Sequence, residues 1–338
     1  MIASYPAAGH SILTITLPTR RLDFAVPMKP SNPMRKLPRV QRVETPRAEG
    51  QFRLSGGRQL GYAEFADPAG AVVLWFHGTL GARRQFPLLG RRAAERLGLR
   101  VIIVEQPGTW LSDAHRYPAV FDWVADMAQV ADALEVERLG IVGLSGGGFY
   151  ALACGTLPPL VARVAAVAIL DGVVPSVGPE ATSGGITDTA RRFAPILTQL
   201  RRPLAMLCSG LLAPLIPIAH YAYRGYTSAW PADDQRVLAD PEIEAIFVDD
   251  MVNAFRGRCP AMVDDARLLG RDWGFRLADV KVPVRWWHGD SDHVVPIAGV
   301  EAAVSRLQDA ELTVRSGESH LGGFAKIDEV LECMRAYL

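Results

Sequence analysis

Short apolar runs alternate with amphipathic stretches from residue 51 onward, and this alternation constrains the fold more than any other feature of the chain. The apolar runs have the length of β-strands and are nearly continuous, as expected for strands covered on both faces. They are residues 71–76, 101–104, 139–142, 164–170 and 282–287. Helical patterns lie between them at residues 85–97, 121–134 and 147–157. Strands that alternate with helices predict an α/β fold with a mostly parallel sheet.

The alternation is interrupted in the middle of the chain, after the apolar run that ends at Leu170. Strand patterns resume only at Val282. We therefore expect an inserted, mainly helical cap at residues 173–264. The core is expected to comprise residues 49–172 and 265–338.

One segment of the expected cap, residues 204–223, is apolar enough and long enough to resemble a membrane span. Pro214, Pro217 and His220 interrupt it. The strand and helix units on both sides must also share one sheet, which a spanning segment would pull apart. We therefore expect no stable membrane span.

Residues 1–48 differ in composition from the rest of the chain. They are rich in proline and carry eight Lys or Arg residues against two acidic ones, Asp23 and Glu44. Such a segment buries too little apolar surface to fold alone, so we expect a basic, disordered tail. Its short apolar run follows no basic residue, which argues against a secretory signal and for a cytoplasmic protein.

Charge and cysteine content limit the partners of the chain. Lys plus Arg and Asp plus Glu number 36 each, so no net charge favours nucleic acid or an anionic membrane. The expected partner is a small, near-neutral molecule. The cysteines lie far apart, and no Cys and His cluster has metal-ligand spacing, so we expect no metal and no other cofactor. The sequence leaves the oligomeric state open.

The motif Gly143-Leu144-Ser145-Gly146-Gly147 lies between an apolar strand and a helical pattern. A tight strand-to-helix turn imposes strained backbone angles on the serine and lifts its hydroxyl clear of the backbone. Gly143 and Gly147 leave room where larger side chains would collide. The N-terminus of the helix also faces the reaction centre, where it stabilises negative charge. Ser145 is therefore the candidate nucleophile.

A second motif, His77-Gly78-Thr79, follows the strand at residues 71–76. Acyl transfer needs two preorganised N–H donors for the oxyanion, one from the residue after the nucleophile and one from this loop. We predict that the backbone N–H groups of Gly146 and Thr79 form this oxyanion hole. His77 precedes the nucleophile, so we expect it to hydrogen-bond within the loop, beside Gly78, rather than to act as the base.

One histidine and three aspartates complete the candidate chemistry. Asp290 and Asp292 directly follow one apolar strand, and Asp171 follows another. A carboxylate at the end of a strand can orient an imidazole, so the residues alone leave all three open as the acid. His320 lies in a late loop past the last strand, from which it can swing over the nucleophile. It is the candidate general base.

The order of these motifs resembles that of the α/β-hydrolase superfamily, in the branch of capped esterases, lipases and proline-iminopeptidase-like enzymes. The resemblance covers residues 51–338 and implies the α/β-hydrolase fold, with helices on both sides of the sheet and an inserted helical cap. In that family the acid precedes a Val-Val-Pro or Ile-Val-Pro sequence. The resemblance therefore implies a catalytic triad of Ser145, Asp292 and His320.

The activity implied by the resemblance is hydrolysis of a carboxylic ester of a small or medium apolar substrate through an acyl-serine intermediate. An aminopeptidase or amidase of the proline-iminopeptidase type is the alternative within the same chemistry. The cap offers four carboxylates that could hold a substrate amine, namely Glu242, Glu244, Asp249 and Asp250. A non-catalytic small-molecule binding protein on the same fold is the alternative of another class. The presence of all three triad residues favours an enzyme.

Overall fold

The computed structural model describes residues 45–79, 81–200, 203, 206, 207, 210, 211, 218–256 and 260–338. Of the segment predicted to be a tail, residues 1–48, residues 1–44 lie outside these described residues. The strands are β1 Ala48–Arg53, β2 Gln59–Ala66, β3 Ala71–Phe76, β4 Leu99–Val104, β5 Leu139–Leu144, β6 Val164–Leu170, β7 Val284–Gly289 and β8 Ala310–Arg315.

These strands form one sheet in the order β1-β2-β4-β3-β5-β6-β7-β8. β2 pairs antiparallel with β1 and with β4, and every other neighbouring pair is parallel. β5 and β6 consist of residues that are all buried, as central strands covered on both faces require. The edge strand β8 has half-buried and exposed residues instead.

The helices of the described residues are α1 Leu88–Arg96, α2 Val120–Ala133, α3 Gly147–Cys154, α4 Gly185–Gln199, α5 Ala219–Thr227, α6 Ala232–Leu238, α7 Pro241–Arg256, α8 Pro260–Leu269, α9 Ile297–Val304 and α10 Ile327–Arg335. Side chains of α2, α3 and α9 share one buried cluster with Phe76 of β3. Side chains of α1 and α10 share another with Trp75. Neighbouring residues of a strand point to opposite faces, so these two aromatic rings lie on opposite sides of the sheet.

The mostly parallel sheet with helices on both faces confirms the predicted α/β fold class. Helices α4 to α8 occupy the part of the chain between β6 and β7, where the sequence predicts a cap. The boundaries of that cap, residues 173–264, stay a prediction. None of the described helices is both long enough and apolar enough to cross a membrane.

Parallel strands bring their carboxyl ends to one edge of the sheet, and the loops that follow them meet there. The loops after β3, β5, β7 and β8 carry Thr79, Ser145, Asp292 and His320, respectively. The strand order places β3, β5, β6 and β7 side by side, which brings these loops into one region.

Candidate active site

Ser145 occupies a sharp turn between β5 and α3. Its φ is +49°, in the left-handed region that costs a non-glycine residue energy. The turn is held by two backbone bonds: the Ser145 N–H donates to the carbonyl of Leu170 at 2.8 Å, and its carbonyl accepts from Gly148 at 3.0 Å. These bonds fix the serine at the carboxyl end of the sheet and commit it to the strained conformation.

Two glycines make this turn possible. A Cβ atom on Gly143 would lie 2.6 Å from the carbonyl oxygen of Gly147. A Cβ atom on Gly147 would lie 2.2 Å from the carbonyl oxygen of Phe76. Both distances are far below van der Waals contact, so any larger residue would push α3 away from β3.

His320 lies between Ser145 and Asp292 in a continuous line of hydrogen-bonding atoms. Its Nε2 is 2.9 Å from Ser145 Oγ, and its Nδ1 is 2.8 Å from Asp292 Oδ2. An imidazole that carries its proton on Nδ1 donates to the carboxylate and accepts from the serine hydroxyl. Asp292 and His320 are 4% and 5% exposed, so the bond between them is shielded from water, whereas Ser145 is half-buried.

Asp292 is held as a carboxylate despite its burial. Its Oδ1 accepts backbone N–H bonds from Val294 and Val295 at 2.7 and 2.8 Å. Burial by itself raises the pKa of Asp292, but the charge of His320 and hydrogen bonds from His288 and His320 outweigh it and hold the pKa well below its usual range. Burial lowers the pKa of His320, whereas the charge of Asp292 raises it, and the net shift is upward.

The two other candidate acids have different partners. Asp171 is buried at the end of β6, and its Oδ2 accepts the Gly323 N–H at 3.3 Å. Burial raises the pKa of Asp171 to about 7. Asp290 instead accepts the Gly317 N–H at 2.8 Å on the surface side of the loop. Of the three aspartates, the structure brings Asp292 into hydrogen-bond contact with His320.

A second buried histidine lies behind Asp292. His288 Nε2 is 2.7 Å from the carbonyl oxygen of Val295 and 3.1 Å from Asp292 Oδ2. Atoms of Asp171, His288 and Asp292 suited to metal ligation lie within 4.8 Å of one another. Asp292, the member of this group that contacts His320, already accepts hydrogen bonds from His320, Val294 and Val295.

The loop after β3 lies against the turn that carries Ser145. A Cβ atom on Gly146 would lie 3.4 Å from the backbone nitrogen of Thr79, and one on Gly78 would lie 3.4 Å from Ser145 Cβ. The backbone nitrogens of Thr79 and Gly146 are therefore neighbours beside the serine. Gln85 braces this loop, because its Oε1 accepts the Gly78 N–H at 3.1 Å.

His77 lies beneath the same loop, fully buried. Its Nδ1 is 2.9 Å from the Gly78 carbonyl oxygen, and its Nε2 accepts the Gln106 N–H at 3.5 Å. Burial lowers the pKa of His77 to about 4, so the ring is neutral at physiological pH. Both ring nitrogens face backbone groups of the loop region, which suits a supporting role.

A cavity of about 100 Å³ opens beside Ser145 and His320. Most of its wall is apolar and aromatic, and much of that wall comes from α5, α6 and α7. The lining side chains of these helices and their connections are Tyr223, Tyr226, Trp230, Leu238 and Phe247. The expected apolar segment, residues 204–223, contributes only Tyr223 among its described residues, while Met206, Leu207 and Leu211 are exposed.

The four cap carboxylates available for a substrate amine bind other parts of the protein instead. Glu244 pairs with Arg224 and with His220 at 2.9 and 2.8 Å. The other three lie against the segment that follows the β3 loop, at residues 82–88. Glu242 accepts the Leu88 N–H, Asp249 pairs with Arg84, and Asp250 accepts the N–H groups of Ala82 and Arg84. None of the four lines the cavity.

Three side chains near the triad escaped sequence reasoning. Trp230 stacks obliquely near His320, with ring centroids 6.4 Å apart. Gln85 hydrogen-bonds to the loop after β3, and Asp234 hydrogen-bonds to the loop that carries His320. No motif marks these residues: Trp230 and Asp234 are distant in sequence from the loop that carries His320, and Gln85 lies in an irregular segment before α1.

Comparisons with known proteins agree with the geometry. The family model described as serine aminopeptidase, S33, matches residues 67–321. A monoacylglycerol lipase from Mycolicibacterium smegmatis is 27% identical over 292 residues, which cover 82% of this chain and 91% of that protein.

Solved structures share the fold at low sequence identity. An esterase from Exiguobacterium antarcticum has a TM-score of 0.61 and 18% identity, over 86% of this chain and 100% of that one. The enol-lactonase from Burkholderia xenovorans LB400 has a TM-score of 0.62 and 17% identity, over 85% of this chain and 99% of that one. Similarity at this level shows a common fold and does not identify a substrate for this chain.

Proposed function

Because the chain belongs to the serine aminopeptidase S33 family of α/β hydrolases, we propose that it cleaves carboxylic esters through an acyl-Ser145 intermediate. The observation that carries this proposal is the hydrogen-bonded line from Ser145 through His320 to Asp292, next to an apolar cavity. Members of the same structural neighbourhood are esterases, and one relative is a monoacylglycerol lipase.

In the proposed mechanism, His320 Nε2 takes the proton of Ser145 as its Oγ attacks the ester carbonyl. The carbonyl oxygen becomes an oxyanion, which the N–H groups of Thr79 and Gly146 stabilise. The tetrahedral intermediate then collapses, and His320 gives the proton to the departing alcohol. Water attacks the acyl-serine with His320 again as base, which releases the carboxylic acid and restores Ser145. Asp292 stabilises the imidazolium throughout.

The cavity favours an apolar acyl group. Its aromatic and aliphatic walls have few polar groups beyond those of the catalytic loops. Each methylene buried there is worth about 0.8 kcal/mol, which is roughly a fourfold gain in affinity until the cavity is full. A cavity of about 100 Å³ limits that gain to short and medium chains.

Among the described residues, the lining of the cavity offers no carboxylate that could anchor a substrate amine, which the aminopeptidase alternative requires. An ammonium group in an apolar cavity requires a carboxylate partner. The cap carboxylates that could have served, such as Glu242 and Asp250, accept hydrogen bonds from the backbone of residues 82–88. This engagement of the carboxylates favours the ester over the aminoacyl substrate.

The test is a substrate series. We expect kcat/KM for p-nitrophenyl esters to rise from acetate to a medium chain and then fall, with little cleavage of aminoacyl p-nitroanilides. Leu238→Phe narrows the cavity and should move the optimum to shorter chains, whereas Leu89→Phe, on the exposed face of α1, should not. A steady fall from acetate onward, or faster cleavage of the anilides, contradicts the proposed substrate class.

A further inference from the structure

The loop that carries His320 is held from both sides by one carboxylate of the cap. Ser319 Oγ donates to Asp234 Oδ2 at 2.7 Å, and the Leu321 N–H donates to Asp234 Oδ1 at 2.8 Å. Asp234 lies in the first turn of α6 and is 1% exposed. The residues immediately before and after the proposed base are thus tied to the same side chain.

The neighbouring carboxylate on the same turn behaves differently. Asp233 is partly exposed and pairs with Arg236 on the surface of α6. An acidic residue in the first turn of a helix is favourable in general, because it offsets the helix dipole. That general benefit does not require the carboxylate of Asp234 to be buried. It also does not require both of its oxygens to accept hydrogen bonds from the loop that carries His320. Asp234 therefore does more than favour its own helix.

We propose that Asp234 is a positioning residue for His320, which fixes the ring through Ser319 and Leu321 so that Nε2 faces Ser145. In this arrangement the cap contributes to the chemistry as well as to the cavity wall. The inference rests on the proposed role of Ser145 and His320 in ester hydrolysis.

Asp234 also contributes charge to the surroundings of His320. The ionisable groups near that ring are Asp292 from the β7 loop, Asp171 from the end of β6 and Asp234 from α6, and Tyr223 and Tyr226 of α5 line the same cavity. His288 contacts Asp171 and Asp292. Burial lowers the pKa of His320, while Asp292, then Asp171 and Asp234, raise it. Removing the charge of Asp234 therefore lowers this pKa. The acid limb, which is the part of the pH profile where activity rises with pH, then moves to lower pH.

Two variants separate position from charge. In Asp234→Asn the amide oxygen can still accept the Leu321 N–H, and its NH₂ can donate to the Ser319 hydroxyl, so the loop stays in place without the charge. Asp234→Ala leaves two buried donors without a partner and frees the loop. Ser319→Ala removes one of the two bonds, and Asp233→Asn is the matched control on the exposed side of α6.

The measurement is the rate at which a fluorophosphonate probe labels Ser145 as a function of pH, together with kcat and KM on an ester. We expect Asp234→Ala to lose at least about tenfold in labelling rate and kcat with little change in KM. Asp234→Asn should recover most of that rate, with its acid limb shifted to lower pH. Ser319→Ala should lie between, and Asp233→Asn should match the wild type.

Two results overturn the inference: a wild-type rate and acid limb in Asp234→Ala, or an equal loss in Asp234→Asn without a shift of the limb. The second result means that the carboxylate serves only to dock α6. If Asp234→Ala does not fold, Asp234→Asn and Ser319→Ala still decide the question. Labelling of Ser145→Ala at the wild-type rate would instead show that Ser145 is not the nucleophile. That result would be a failure of the proposed function, distinct from the two results above.

Discussion

Two buried aspartates lie near His288 and His320, yet their surroundings shift their pKa values in opposite directions. Asp292 accepts two short backbone bonds in addition to the imidazole, and its pKa is lowered. Asp171 accepts one longer backbone bond from Gly323, and burial raises its pKa to about 7. The charge of His320 and the hydrogen bonds from His288 and His320 outweigh burial at Asp292, whereas burial dominates at Asp171, so Asp292 is the carboxylate that remains an anion to pair with His320.

Substitution of the three candidate acids tests this difference. Asp292→Asn should reduce kcat by on the order of 10³-fold, because an amide cannot hold the imidazole in the required tautomer. Asp171→Asn resembles the protonated form of Asp171, and Asp290→Asn changes a hydrogen bond at the surface. Each of these substitutions should therefore reduce kcat far less. Steady-state kinetics on one ester would compare them, and a larger loss in Asp171→Asn would assign the acid to Asp171.

The pH dependence of activity follows from His320. The general base works only when unprotonated, so activity must rise with pH through its pKa. That pKa is raised from its usual 6.5, chiefly by Asp292 acting against the effect of burial. We therefore expect kcat/KM to be low at pH 5.5 and to rise through an apparent pKa above 6.5. A profile that is flat from pH 5 to 9 would argue against His320 as the base.

Ser145 and His320 could be predicted from the sequence, whereas Asp234 could not, and the difference has a physical reason. Ser145 lies in a local motif whose glycines are demanded by the turn itself. His320 could be selected by its place after the last strand. Asp234 could not, because its partners lie 85 and 87 residues away and meet it only through the packing of α6.

At the scale of elements, the turn between β5 and α3 leaves no room for a side chain at Gly147. Gly147→Ala would place a methyl group 2.2 Å from the carbonyl oxygen of Phe76. We expect a loss of about 1–3 kcal/mol in the free energy of unfolding and a fall in kcat, because the turn can accommodate the methyl only by moving α3.

Gly56→Ala is the matched control, since a Cβ atom there meets nothing within 4 Å. Chemical denaturation and ester kinetics measure both effects. Equal stability and activity of Gly147→Ala and Gly56→Ala would show that the turn tolerates a side chain and that the geometry described for Ser145 is wrong.

The sheet was more predictable than the helices between β6 and β7. β3 and β6 coincide with apolar runs seen in the sequence, since strands buried on both faces leave a continuous hydrophobic signature. β1 was not predicted, because an edge strand has half-buried and exposed positions that resemble a loop. Trp230, Leu238 and Phe247 line the cavity, although no sequence motif marks them. Amphipathic helices do not reveal which partner their apolar face will meet.

At the scale of the whole molecule, buried carboxyl groups link stability to pH. Asp265 in α8 accepts a hydrogen bond from Tyr150 of α3, and burial raises its pKa to about 7. The folded protein therefore keeps a proton there that the unfolded chain releases above its ordinary pKa of 3.8. This contribution to stability is fully present below pH 3.8 and is lost as pH rises through about 7.

Asp265→Asn removes the titration while its amide oxygen can still accept the Tyr150 hydroxyl. We expect Tm of the variant to fall less than that of the wild type between pH 5 and pH 8, as measured by differential scanning calorimetry. The same fall in both proteins would mean that Asp265 is ionised in the folded state throughout this range.

The proposed ester hydrolysis depends on Ser145 as the nucleophile. Peptide mass spectrometry after reaction with a fluorophosphonate probe, alongside turnover of Ser145→Ala, tests this most directly. Ser291→Ala is the control, since that serine lies nearby on the exposed loop before Asp292. We predict that the probe labels Ser145 and that Ser145→Ala loses at least about three orders of magnitude in kcat. Ser291→Ala should keep the wild-type turnover. Labelling at another residue, or a Ser145→Ala protein that keeps more than about a tenth of the wild-type turnover, would contradict this prediction.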